Sequence, residues 1–185
     1  MATFQVWLVS TLASATRVGD FMATRWAWPA MESIHFVGLS LLVGTIVLFD
    51  LRLLGVARPI PISALHKLIP WGIAGYCVNA ASGAMFLMSA PDQYIYNSAF
   101  HFKLLFMAIA GFNATAFYLV AARRTMGPDA EARVPRAAKI IATISVLMWL
   151  GIIVCGRLIT FYRPGDCGPE GPGILADCIP RPQRR

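Results

Sequence analysis

Four long apolar stretches constrain this chain more than any other feature of its sequence. They lie at about 29–54, 63–89, 99–122 and 136–162. Each has the length, roughly 20 residues or more, that an α-helix needs to cross a bilayer, where backbone groups must be hydrogen-bonded within their own segment. With 57% hydrophobic and only 14% charged residues, the sequence predicts an all-α fold, an integral membrane four-helix bundle.

The two ends of the chain are predicted to lie outside these spans. Residues 4–16 place Phe4, Trp7 and Leu12 at helical spacing and predict a short amphipathic helix in the membrane interface. No Lys or Arg precedes Arg17, so we expect no secretory signal and treat this segment as part of the mature protein. The tail, 163–185, is rich in Pro and Gly and is predicted to be irregular.

The positive charge of the chain indicates how it is oriented. The net charge of +7 is not a nucleic-acid signature, because the basic residues flank apolar runs instead of forming a stripe. Positive residues near a membrane stay in the cytoplasm, and the middle loop, 91–99, has none. Connectors one and three are therefore predicted to face inward and both termini outward. The basic residues of these connectors are Arg52, Arg58 and Lys67, and Arg123, Arg124, Arg133, Arg136 and Lys139.

The four cysteines fall into two groups. Cys77 and Cys155 lie within spans and are interpreted as packing residues. Cys167 and Cys178 both lie in the tail, which the predicted orientation places in an oxidising compartment. A disulfide is favoured over free thiols there, and a metal site is disfavoured because no histidine is nearby.

Histidines supply the candidate cofactor site. His35 and His101 each precede an apolar run that begins at the predicted outer face, so they lie at similar depth. Two such imidazoles on different helices of a bundle are able to ligate a b-type haem axially. Lys103 and Arg157 would then pair with the haem propionates, and Glu32 would orient a ligand or relay a proton. The alternative is that these side chains only bond to one another or to backbone.

Two further interpretations remain open. Copper, with Met31, Met85 and Met88 as soft ligands, is a variant of the metal hypothesis, although such methionines more often fill cores. Gly75, Asn79 and Gly83 lie four residues apart and form a small, polar helix face that allows a close helix contact without any catalytic role.

Several segments of the chain resemble a known family. It is similar to an uncharacterised bacterial family of four-helix inner-membrane proteins, a domain of unknown function, across residues 5–162. This implies a location in the bacterial inner membrane and a looser similarity to copper-resistance protein D-like and small membrane b-cytochrome domains. The residues that carry the resemblance are Trp28 to His35, Gly38, Gly44, Asp50 to Gly55, Pro70-Trp71, Asn97, Phe100, Lys103, Gly111, Asn113, Trp149 and Gly156-Arg157.

The leading functional hypothesis is an inner-membrane electron-transfer subunit that holds a b haem and works with a periplasmic redox partner. The alternative is a non-catalytic anchor or assembly subunit of a larger complex, and a third is handling of copper or another small solute. The chain has no phosphate-binding glycine loop, nucleophile elbow, HExxH or CxxC motif, so a membrane subunit is expected rather than a free-standing enzyme. Membrane lipid and a protein partner, but no nucleic acid, are the expected contacts.

Overall fold

The computed structural model describes residues 2–13, 16–56, 58–125, 134–167 and 178–179. Within these ranges the chain is mostly helical, with one small sheet. The elements are α1 (Ala2–Ala13), α2 (Thr16–Met22), α3 (Ala27–Leu54), α4 (Ile62–His66), α5 (Ile69–Ser89), α6 (Pro91–Ile95), α7 (Ser98–Ala116), a π-helical segment (Phe117–Ala121), α8 (Ala122–Thr125), α9 (Arg136–Phe161), β1 (Gly165–Asp166) and β2 (Cys178–Ile179).

Three helical stretches of the described chain are long and hydrophobic enough to cross a membrane. They are α3, the continuous stretch Ser98–Ala121, and α9. The other predicted span is present as helix α5, but it is less hydrophobic because the side that faces α3 is built from small and polar residues. Those residues are Gly72, Gly75, Asn79 and Ser82.

Proline and glycine set the main helix boundaries. Gly55 ends α3 in the left-handed conformation (φ 94°), and its amide and that of Val56 bond back to the Arg52 and Leu51 carbonyls. The second span was predicted to begin near Ser63 and instead begins at Ile69. Pro70 lies in the first turn of α5, where its missing N–H costs no helical hydrogen bond.

Short helices occupy segments that the sequence had assigned to loops or ends. The predicted middle loop contains α6, which begins at Pro91. The predicted N-terminal helix is α1, and a second short helix, α2, follows it. Helices α2 and α6 were not predicted, because helices of seven and five residues are too short to produce a clear apolar period in the sequence.

The long helices pack as two pairs. Helix α3 packs along α5, α7 packs along α9, and contact between α3 and α9 joins the pairs. At the centre of the first pair the backbones approach closely, since a Cβ added to Gly75 would lie 2.7 Å from the Gly38 carbonyl oxygen. Within the described chain, α5 and α7 make no extended contact.

The largest cluster of buried side chains lies at the predicted cytoplasmic end. The Phe49 and Phe117 rings meet edge to face there, with centroids 5.5 Å apart. The cluster brings together the end of α3, helix α4, the end of the third long helix and the start of α9. Its buried members are Phe49, Leu53, Ile62, Leu65, Phe117, Ala121, Ala122, Ala138 and Ala142.

A disulfide closes the tail at the opposite end. Cys167 and Cys178 are joined, as predicted. The two-residue strands β1 and β2 pair in parallel beside the bridge, so this part of the tail is more regular than predicted. The remaining tail, 168–177 and 180–185, lies outside the described residues.

Candidate functional site

His35 is held by the helix that packs against its own. Its Nδ1 lies 2.8 Å from the Ser82 hydroxyl oxygen, and the Asn79 amide donates to the His35 carbonyl oxygen at 2.8 Å. The Ser82 hydroxyl has a single hydrogen, and its oxygen lies 2.7 Å from the Val78 carbonyl oxygen and 3.2 Å from the Asn79 carbonyl oxygen. With this hydrogen on either carbonyl, Ser82 accepts from Nδ1–H, and in the neutral imidazole Nε2 keeps the lone pair that a ligand or proton would use.

The second predicted haem ligand, His101, lies on α7. Lys103 points from α7 toward α9. Its Nζ would lie 3.7 Å from a Cβ added to Gly156 of α9. His101 is two residues earlier, about 200° around the same helix, and so lies on the side of α7 away from α9. Its ring is half-buried, with the Phe100 ring 6.3 Å away. Haem ligation by His35 and His101 stays a prediction.

The three predicted auxiliary residues are spread over different surfaces. Lys103 is close enough to His35 for their charges to interact. Arg157 is exposed, and its guanidinium carbon lies over the Phe161 ring, 4.5 Å from the ring centroid. It follows Gly156 on α9 and is therefore rotated by about 100° around the helix from that residue. Glu32 is exposed near Tyr94. Burial, with a smaller effect from the Glu32 carboxylate, raises the pKa of Tyr94 to about 12.

Two of the three methionines proposed as copper ligands lie among apolar side chains. Met31 and Met85 pack against the cluster of Met22, Ala27 and Phe86 at the predicted outer end. In the described part of the chain, no group of three or more His, Cys, Asp or Glu side chains is arranged to hold a metal ion.

The most distinctive concave feature is a cavity of about 390 Å³ between the two helix pairs. Helices α3 and α9 form its floor, and α5 and the third long helix form its sides. Ile73, Tyr76 and Tyr118 line it while remaining 59, 47 and 50% exposed. Because these residues are exposed on the outer sides of α5 and the third long helix, the mouth of the cavity opens outward between them.

The lining of this mostly apolar space includes Asp50 of α3, Asn113 of α7 and Ser145 of α9. Thr45 and two tyrosines, Tyr76 and Tyr118, also line it. The Asn113 amide donates to the Ile141 carbonyl oxygen at 2.9 Å, and Ser145 lines the same cavity as Asp50. Asp50 is 5% exposed, and its Oδ2 atom has no hydrogen-bond partner among the described residues. An apolar pocket with a few convergent polar groups is the usual form of a small-molecule site.

The backbone beside this cavity is irregular. The third long helix widens into a π-helical turn at Phe117–Ala121, and both Phe117 and Tyr118 line the cavity. Single π turns within α-helices occur frequently at functional sites. The irregularity is therefore a second feature that marks this region as the candidate site.

A smaller cavity lies at the other end of α7 and has a structural explanation. It has a volume of about 360 Å³ and lies beside Asn97. The Asn97 oxygen accepts from the Ala99 amide at 3.0 Å and caps α7, while its amide donates to the Tyr162 carbonyl oxygen at 2.8 Å at the end of α9. Asn97 thus joins two helix termini whose backbone groups would otherwise be unpaired.

Comparison with known families agrees with the resemblance in the sequence. The model of a Family of unknown function (DUF6644) matches residues 6–162. The chain belongs to this family. The matched range of the DUF6644 chain holds α3, α5, α7, α9 and the whole cavity, and it ends before the disulfide-linked tail. No curated protein and no solved structure matches the chain.

Asp50 is the residue of this DUF6644 chain whose importance sequence reasoning underestimated. In the sequence it stands out only as part of the segment Asp50 to Gly55, which carries the family resemblance, and as an ionisable group within a predicted span. That signal was available, because an acid at membrane depth indicates a functional site by default. Its neighbours in the cavity were not readable, since Ser145 and Asn113 come from distant segments that only the packing of the helices brings together.

Proposed function

We propose that this chain is an inner-membrane protein with four spans, α5 included, which binds a lipid-soluble small molecule between α5 and α7. The observation that carries the proposal is the cavity at Asp50. Its volume is within the range of roughly 300–1,000 Å³ that small-molecule sites have. A molecule dissolved in the bilayer would enter sideways through the mouth at Ile73 and Tyr118 without crossing water.

Charge supports the placement of this site in the cytoplasmic half of the membrane. The cavity lies beside the end of α3 and the starts of α5 and α9. Arg58, Lys67, Arg136 and Lys139 are adjacent to those same helix ends, and positive residues remain on the cytoplasmic side. The disulfide at the other end of the bundle fits an oxidising periplasm.

Native mass spectrometry tests the proposal with a matched pair of glycine variants. Gly111 lines the cavity, and a Cβ there would meet nothing within 4 Å. Gly111→Leu therefore adds a side chain at the cavity whose Cβ meets no neighbouring atom. Gly44→Leu is the control, because Gly44 is equally free of neighbours and does not line the cavity.

We expect the wild-type protein and Gly44→Leu, purified from native membranes in mild detergent, to carry one bound lipid-soluble molecule. Gly111→Leu should lose it, since leucine occupies part of the space that the molecule needs. If the same molecules remain bound to both variants in equal amounts, the cavity is not the binding site and the proposal fails.

A b-haem electron-transfer subunit with a periplasmic redox partner is the second candidate function. The observation that favours it is the hydrogen bond from His35 Nδ1 to Ser82, which leaves Nε2 as the ligating nitrogen. His101 would be the second axial ligand and Lys103 a propionate partner. A non-catalytic anchor in a larger complex is the remaining alternative, and the close α3–α5 contact supports it.

A further inference from the structure

The chemical character of the bound molecule follows from the groups around Asp50, provided that the cavity is the binding site proposed above. Asp50 is nine-tenths or more buried, and one carboxyl oxygen, Oδ2, has no hydrogen-bond partner in the described chain. Leaving a buried polar atom unpaired is costly in a protein and more so beside lipid. An unpaired acceptor that lines a cavity is therefore a position where a bound molecule supplies the missing donor.

Ser145 of α9 lines the cavity together with Asp50, and a hydroxyl is a donor toward a carboxylate. No lysine or arginine is among the residues that line the cavity. The second carboxyl oxygen is consequently free to accept from a ligand, and no cation of the lining competes for it.

The walls indicate the shape of the rest of the molecule. Phe49, Phe117, Tyr76, Tyr118 and Trp149 all line the cavity. Aromatic side chains pack favourably against a flat ring in edge-to-face or offset arrangements. Phe49, which precedes Asp50 in the sequence, and Phe117 already meet edge to face at 5.5 Å, and both line the cavity with Asp50.

We propose that the cavity takes a lipophilic ring compound with a hydrogen-bond donor at one end, a hydroxyl or an amine N–H, which donates to Asp50 Oδ2. Phenols and hydroquinones with apolar side chains have this chemistry. The ring packs among the aromatic walls, and the apolar substituent extends through the mouth between α5 and α7 into the bilayer.

Three probes with the same apolar chain distinguish the contribution of the hydrogen-bond donor to binding from that of the ring and chain. They are 4-octylphenol, 4-octylaniline and 4-octylanisole, which carry a hydroxyl donor, an amine donor and no donor. Titration in detergent with native mass spectrometry gives a dissociation constant for each. We expect the phenol, the aniline or both to bind the wild-type protein about tenfold or more tightly than the anisole, because only they complete the Asp50 hydrogen bond.

Asp50→Leu should remove this preference, so that all probes bind as the anisole does. Asp20→Leu, which changes an exposed acid of α2, should leave the preference intact. If the anisole equals or exceeds both donors in the wild-type protein, while Gly111→Leu weakens all three probes, the cavity binds ligands but the donor inference is wrong. If no probe binds saturably, or Gly111→Leu changes none of them, the proposed function itself fails.

Discussion

At the residue scale, His35 shows what a sequence can and cannot indicate about a buried polar group. Its depth near the outer end of α3 follows from its place before a long apolar run. Its hydrogen-bond partner cannot be inferred from the sequence, because Ser82 is 47 residues away and lies next to His35 only when α3 packs against α5. A histidine so held has a defined tautomer, which suits either a structural bond or a ligand.

Substitution of His35 distinguishes these two roles. After expression with ample haem, the haem proposal predicts a Soret and an α band in the dithionite-reduced spectrum of the wild-type protein, both lost in His35→Ala. If the wild-type protein shows neither band, the haem proposal fails and His35 is structural. In that case His35→Ala should still lower stability by about 1 kcal/mol, as lost hydrogen bonds between membrane helices do. The reference is His66→Ala, at the half-buried histidine that ends α4.

At the scale of helices, the glycine face of α5 sets how closely the first pair approaches. A Cβ at Gly75 would lie 2.7 Å from the Gly38 carbonyl oxygen and 2.8 Å from the Leu42 amide nitrogen. These are backbone atoms, which cannot move without separating the two helices. A Cβ at Gly83, two turns further along α5, would meet only His35 Cε1 at 3.8 Å, which is an ordinary contact.

Gly75→Ala should therefore destabilise the protein although alanine is the better helix former. We expect a loss of about 1–3 kcal/mol, the usual cost of overpacking. Gly83→Ala, on the same helix, should be neutral or slightly stabilising. Thermal unfolding of both variants in one detergent measures the difference. Equal shifts for the two would show that the close α3–α5 approach is not what makes Gly75 necessary.

The sequence predicted the long helices well and the short ones poorly, for a physical reason. The helix predicted at 136–162 is observed as Arg136–Phe161, because Pro135 and the apolar period mark its start clearly. Helix α4 was instead merged into the following span. It is only five residues long, so the turn that separates it from α5 does not interrupt the apolar pattern of the sequence visibly.

At the scale of the whole molecule, the two ends of the bundle differ chemically. Basic residues gather where α3 ends and α9 begins, and the disulfide lies beyond the other end of α9. This asymmetry supports the orientation with both termini in the periplasm. The cavity was not predicted. It lies where α5 and α7 make no extended contact, and the residue pattern of a single helix does not show which other helices it packs against.

Cysteine labelling in intact spheroplasts tests this orientation. A membrane-impermeant phosphine should reduce the Cys167–Cys178 bridge from outside, after which an impermeant maleimide should label both cysteines. Cys155, which is buried within α9, serves as the unlabelled control in the same mass spectra. Labelling of the tail only after the membrane is broken would place it in the cytoplasm and reverse the orientation.

The central claim is that the space between α5 and α7 holds a small lipid-soluble molecule at Asp50. A crystal structure of the protein, purified from native membranes and crystallised in a lipidic phase, tests it most directly. The account predicts separated α5 and α7 with ordered density for a compact molecule, one polar atom of which lies within hydrogen-bond distance of Asp50 Oδ2. A structure in which α5 and α7 pack together and close the cavity would contradict it.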